Sequence, residues 1–213
     1  MGQASRGVQA GNGRLRIMRD NLARAERLRL VDTARRAGDD APTLCEGWTV
    51  RDLATHLVIR ERHPRAAAGI FMPKFSDRLQ AKEDEYAEMP FSRLLGLVAA
   101  PPKWTPGALP GVETLMNTTE FLVHHEDIRR AAIEWIPRQL SQAETATVWA
   151  QTKVALLPYA AKAKAPVTIE APGFGIRTAG KKGSGEAATI TGAPLELLLY
   201  LMGREDHALV DVR

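Results

Sequence analysis

The chain has 213 residues, 45% of them hydrophobic and 25% charged, a balance that suits one core, or one domain with a smaller second one. No apolar run reaches 18 residues, so no transmembrane helix is expected, and a single cysteine excludes an internal disulfide and fits a reducing cytoplasm. The net charge of +4 and pI near 9.4 do not point to nucleic acid, because the densest basic run, Arg14 to Arg36, is interleaved with Leu15, Leu22, Leu28 and Leu30, the pattern of a solvated helix face.

The first 17 residues have no apolar h-region. They read as a disordered leader rather than a secretory signal. A first amphipathic helix is expected from about Met18 to Ala37, stopped by Gly38. The loop DDAPTLCEGW follows. Cys45 has no cation next to it in sequence, so it reads as a small buried hydrophobe rather than a reactive thiol. Trp48 is expected to anchor this loop on the core.

Thr49 and Asp52 form a capping pair that opens a second helix, VRDLATHLVIRERH, ending before Pro64. Val50, Leu53, Ala54, Leu57 and Val58 make its apolar stripe, and His56 lies on the flank of that stripe with Arg60 one turn further. Two shorter helices are expected, from about Phe75 to Glu88 and near Ser92–Ala100. PPKWTPGALPG then reads as a stiff loop, with Trp104 either lining a pocket or packing.

A long helix from about Val112 to Glu134, broken by Pro137, carries NTTEFLVHHEDIRRA. Residues three, four and seven apart share a side of a helix. Glu120, His124 and Asp127 therefore share one face, bordered by Met116, Val123, Ile128 and Ala131, while His125, Glu126, Arg129 and Arg130 are expected to point to water. Ionisable groups on a core-facing stripe are costly unless compensated. Two compensators are open. One is a divalent metal, for which Glu-x-x-x-His is a sound ligand spacing. The other is a His–carboxylate hydrogen bond with no metal. His56 could face the pair from the second helix.

Ser141 with Glu144 caps a fourth helix, running through TATVWAQTKVALLPYA. The composition changes near Lys162–Pro166. VTIEA, FGIRTA and AATIT read as strands, GKKGSG as a hairpin tip, Pro194 to Gly203 as a helix and ALVDV as a last strand. This places a helical domain at about 18–160 and a small α/β domain at 161–213.

PTLCEGWTVRDLATHLVIRE, NTTEFLVHHEDIRRA and ITGAPLELLLYLMGR together resemble the DinB-like superfamily, and within it the mycothiol-dependent maleylpyruvate isomerase family and its bacterial metal-binding relatives. The resemblance implies an α+β chain: a four-helix bundle, up-down-down-up, followed by a small α/β domain of sterol-carrier-protein type. It implies a divalent metal on His56, Glu120 and His124, zinc first, with nickel and iron as alternatives. Three protein ligands leave an open position, as catalytic sites do. It further implies a low-molecular-weight thiol as cosubstrate and a small electrophile as substrate, in a transferase or isomerase reaction. Asp127 would then hold an imidazole in the ligand tautomer. Arg60 is the candidate for a substrate anion, or else an ordinary salt bridge, and Arg204 in LYLMGR is the candidate arginine of the tail. The competing expectation is a non-catalytic module that binds a metal and an apolar ligand. A monomer or homodimer in the cytoplasm, without nucleic-acid or membrane partners, completes the reading.

Overall fold

The structure, a computed structural model, describes residues 22–100, 102, 112–181 and 187–213, with the backbone alone at 112–116. The leader, the helix start at Met18, the side chain of Met116, Trp104 with most of its loop, and the centre of GKKGSG lie outside these residues. The chain is α+β, helices followed by a small mixed sheet. It divides into two compact units, Ala23–Ile136 and one that holds Pro137–Arg213.

In the first unit α1 covers 22–37. Gly38, at φ 90°, ends it in a left-handed conformation that only glycine adopts freely. α2 (Val50–Arg62) starts on the expected capping box, with Thr49 and Asp52 each bonding the other's backbone N–H. α3 (Pro64–Ala67) begins at the proline. α4 (Ser76–Ala87) and α5 (Phe91–Ala99) fall within a residue of the expected bounds. α6 (Val112–Arg130) is the long helix. It stops four residues short of Glu134, because the Arg130 guanidinium stacks on Trp135 at 4.4 Å and Arg129 donates to the Ile136 carbonyl at 2.9 Å. These contacts fold the chain back before Pro137 is reached.

The core of this unit gathers Leu30 and Val31 from α1, Leu53, Leu57 and Ile59 from α2, Leu94 and Leu95 from α5, and Phe121 and Ile128 from α6, all at or below 4% exposure. Arg27 lies over the Phe121 ring at 4.1 Å, donates to the Val98 carbonyl at 2.7 Å and pairs in fork fashion with Glu61. Its charge is thus compensated where it is buried.

The expectation that the far face of α6 meets water is corrected. His125, Glu126 and Arg130 are 4%, 0% and 2% exposed. They are tolerated inside because each has a partner. His125 Nδ1 bonds Glu26 at 3.0 Å, and Arg130 Nε donates to Glu126 at 2.6 Å. α6 is therefore enclosed on both sides.

In the second unit α7 (Gln142–Lys162) starts on the Ser141–Glu144 capping box. The strands are β1 (Val167–Ala171), β2 (Gly175–Ala179), β3 (Ala188–Gly192) and β4 (Val210–Val212), with α8 (Pro194–Leu201) between the last two. The sheet order is β2-β1-β3-β4, with β1 and β3 parallel and the other neighbours antiparallel. β2 and β3 lie on opposite sides of β1 and do not pair, so the hairpin expected between FGIRTA and AATIT is not formed. Val167, Ile169 and Ala171 alternate inward on β1, and α7 and α8 pack on this sheet. α7 packs on α8, with Tyr159 and Tyr200 in ring contact at 5.8 Å. Arg177 of β2 stacks on Trp149 of α7 at 3.8 Å and donates to Thr152 at 2.6 Å.

Candidate metal centre

α2 and α6 bring three side chains to one point. Glu120 Oε1 lies 3.2 Å from His56 Nε2 and 3.3 Å from His124 Nε2. One ligand atom of each residue falls within 4.8 Å of the other two. A tetrahedral ion with bonds of about 2.0–2.1 Å sets its ligand atoms about 3.3 Å apart. Both carboxylate distances match that spacing, so the residue types and the two carboxylate–imidazole separations are those a divalent cation would use. The His56 and His124 rings meet edge to face at 5.4 Å between centroids.

The groups behind the triad hold it in shape. Asp127, fully buried, accepts from His124 Nδ1 at 2.9 Å. That bond leaves Nε2, the nitrogen aimed at Glu120, with the lone pair a metal needs. Asp127 accepts a second bond from the Cys45 thiol at 3.3 Å, and its backbone carbonyl accepts from Leu44 N–H at 3.0 Å. The loop before α2 is thereby tied to α6 at the site. Arg60 approaches Glu120 with its Nε at 3.3 Å and donates to Asn117 Oδ1 at 2.9 Å.

Electrostatics follow from these contacts. Burial by itself would raise the Glu120 pKa. Hydrogen bonds from His124 and His56 and the Arg60 charge outweigh it and hold the carboxyl far below the usual range. Burial would lower His124. Its bonds with Asp127, Cys45 and Glu120 outweigh that and raise it well above the ordinary histidine value.

Residues 21–99 match the family described as the mycothiol maleylpyruvate isomerase N-terminal domain. The family resemblance read from the sequence therefore holds. This stretch contains Cys45, Trp48 and His56 and stops before α6. Two crystal structures of the mycothiol-dependent maleylpyruvate isomerase are similar over 91% of this chain and 91% of theirs. One, of a His-to-Ala mutant, is 11% identical with a TM-score of 0.57. The other is 14% identical with a TM-score of 0.50. At that identity the likeness is one of fold. No curated protein sequence matches the chain.

Within the N-terminal domain and α6, the structure brings together His56, Glu120, His124, Asp127 and Arg60. Arg204 is in the other compact unit, where it donates to the Met202 carbonyl at 2.6 Å. Three features escaped the sequence. Cys45 is neither an isolated hydrophobe nor a bare thiol, since it bonds Asp127. Trp48 does not sink into the core. It is 36% exposed and its ring lies 5.2 Å from that of His56. Asn117 braces Arg60. The only signal for the first two was chain proximity, since CEGW ends just before the capped helix that carries His56.

Proposed function

We propose that the protein holds a divalent metal, zinc first, on His56, Glu120 and His124, and uses it for thiol-dependent transfer or isomerisation on a small electrophile. The observation that carries this reading is the convergence of two imidazoles and a carboxylate from two helices. The N-terminal family match, over residues 21–99, supports the reaction class, and the shared fold agrees with it. When bound, the metal would supply Lewis acidity, which favours the thiolate of a low-molecular-weight cosubstrate such as mycothiol. Asp127 fixes the His124 tautomer. Asn117 and Glu120 hold the Arg60 guanidinium beside the site, where its remaining N–H groups would meet a substrate anion. Arg204 is proposed as the tail's contribution to the substrate. A four-helix, up-down-down-up bundle with a sterol-carrier-type tail beginning near residue 160 belongs to the same proposal, and limited proteolysis tests it: a first cut at 136–137, where the two compact units adjoin in sequence, would refute that division. The proposed setting is the cytoplasm.

The test is metal analysis of the purified protein and its His56→Ala, Glu120→Ala and His124→Ala variants, with a thiol-conjugation assay run with and without chelator. Each variant should lose most of the metal and stay folded, because the apolar core lies on other residues. Near-stoichiometric metal in all three would overturn the site. A metal-loaded protein inactive with every thiol over a broad electrophile panel would overturn the transferase reading and leave a binding module.

A further inference from the structure

His124 offers a nitrogen on each side of its ring. Nε2 points to Glu120, and Nδ1 points to Asp127. On the Asp127 side lies a second group of metal-ligating side chains. Cys45, His124 and Asp127 each place one ligand atom within 4.8 Å of the other two, and among the described residues this is the only such group besides the triad.

Asp127 Oδ2 is the hinge of the group, 2.9 Å from His124 Nδ1 and 3.3 Å from Cys45 Sγ. Each contact is a proton held between two atoms that can both bind a cation. Zinc bonds of about 2.0–2.2 Å to nitrogen and oxygen, and about 2.3 Å to sulfur, set tetrahedral N···O and S···O separations of about 3.3 and 3.6 Å. The observed distances are shorter by a few tenths of an ångström, so an ion that displaces both protons has to spread these side chains only slightly.

The backbone holds Cys45 in place before any ion arrives. Leu44 N–H donates to the Asp127 carbonyl at 3.0 Å, Cys45 N–H donates to Thr43 Oγ1 at 3.2 Å, and the Cys45 carbonyl accepts from Trp48 N–H at 2.9 Å. A ligand fixed by its surroundings loses little freedom on binding. Asp127 is fully buried and Cys45 half-buried, so the Cys45 side is the way in. A thiol is also a poor choice if the only task is to donate to Asp127, because S–H is a weak donor and a hydroxyl a better one. What sulfur adds beside an imidazole and a carboxylate is affinity for soft metals.

We propose that Cys45, Asp127 and His124 Nδ1 form a second metal site, for a thiophilic cation such as zinc or cadmium, with the His124 ring shared between it and the triad. On binding, the thiol proton and the Nδ1 proton leave to solvent, the ion bonds sulfur, nitrogen and a carboxylate oxygen, and no electron is transferred. Sharing sets the order of filling. The second ion takes over the carboxylate that fixes the His124 tautomer, so it binds after the triad is filled and at higher metal concentration. This holds whatever reaction the protein carries out.

The test titrates full-length, reduced protein with cobalt(II) and with zinc. It is repeated on Cys45→Ser, which keeps a hydroxyl for Asp127 but loses the sulfur, and on Cys45→Ala should the serine variant fold poorly. Wild type should take two equivalents, and a near-ultraviolet thiolate-to-cobalt charge-transfer band should grow with the second alone. Cys45→Ser should take one equivalent, without the band, and with an affinity within about threefold of the first wild-type step. Asp127→Asn should weaken the band-forming step about tenfold or more; a band formed with unchanged affinity would reduce the site to a lone thiol and overturn it. One equivalent without the band in wild type would overturn the second site and leave the triad standing. Two equivalents in wild type and in both Cys45 variants would also overturn it. One equivalent that carries the band, kept in Glu120→Ala and lost in Cys45→Ser, would support the thiolate site while the triad falls.

Discussion

Replacing Asp127 with Asn should change how the metal site answers to pH. The Asp127 carboxylate is fully buried and bonded to His124 and Cys45 at 2.9 and 3.3 Å. Burial would lower the His124 pKa, and these bonds together with Glu120 raise it instead. A metal needs the unprotonated nitrogen, so the proton competes with it. Below the raised pKa, wild-type affinity should fall about tenfold per pH unit, one proton being displaced per ion. Asn keeps an acceptor oxygen and removes the charge. A hydrogen bond to a charged group contributes about 1.5–3 kcal/mol and a neutral one about 0.5–1.5. The difference, about 1–1.5 kcal/mol, is on the order of tenfold in affinity, at the lower end of the loss usual for such supporting groups. Where His124 is neutral in both proteins, Asp127→Asn should therefore bind zinc about tenfold more weakly. As pH falls, the gap should close or reverse, because the variant holds its competing proton less firmly. Competition against a chromophoric chelator from about pH 6 to about pH 9 measures both effects, and thermal unfolding of chelator-treated protein controls for fold. Equal affinities with parallel pH profiles would refute the role given to Asp127.

Two further outcomes are expected. Leu57→Ala, at a position 1% exposed in the core of the first unit, should cost about 2–5 kcal/mol in urea unfolding, and a loss under about 1 kcal/mol would mean that this core collapses around the gap. Burial, helped by the Lys82 charge, lowers the His63 pKa; the native state then binds fewer protons than the unfolded chain, so this contribution is complete above about pH 6.5 and fades as pH falls towards the depressed folded value. Unfolding free energies of wild type and His63→Gln should therefore diverge at neutral pH and converge on acidification. Parallel curves would refute that account.

Local rules made much of this protein legible. Two capping boxes, at Thr49–Asp52 and Ser141–Glu144, fixed two helix starts, because a cap is written in three or four adjacent residues. Gly38 and Gly203 fixed two helix ends, since both stand at positive φ. The period-two pattern of VTIEA marked a strand with one buried face. The Glu120–His124 pair was readable because one helical turn is itself a ligand spacing.

What joins elements distant in sequence was decided by tertiary structure alone. His56 meets Glu120 only because α2 and α6 share a core, and Cys45 meets Asp127 only because the Leu44 amide is tied to the Asp127 carbonyl. The polar far side of α6 pointed to water, yet Glu26 from α1 and Arg130 neutralise it inside, since a charge can be buried wherever packing supplies its partner. The place of β1 between β2 and β3, and the grouping of α7 with the sheet and α8, likewise depend on contacts between segments far apart in sequence. Composition and periodicity carry no record of those contacts, because they fix which face of an element is buried and not which neighbour buries it.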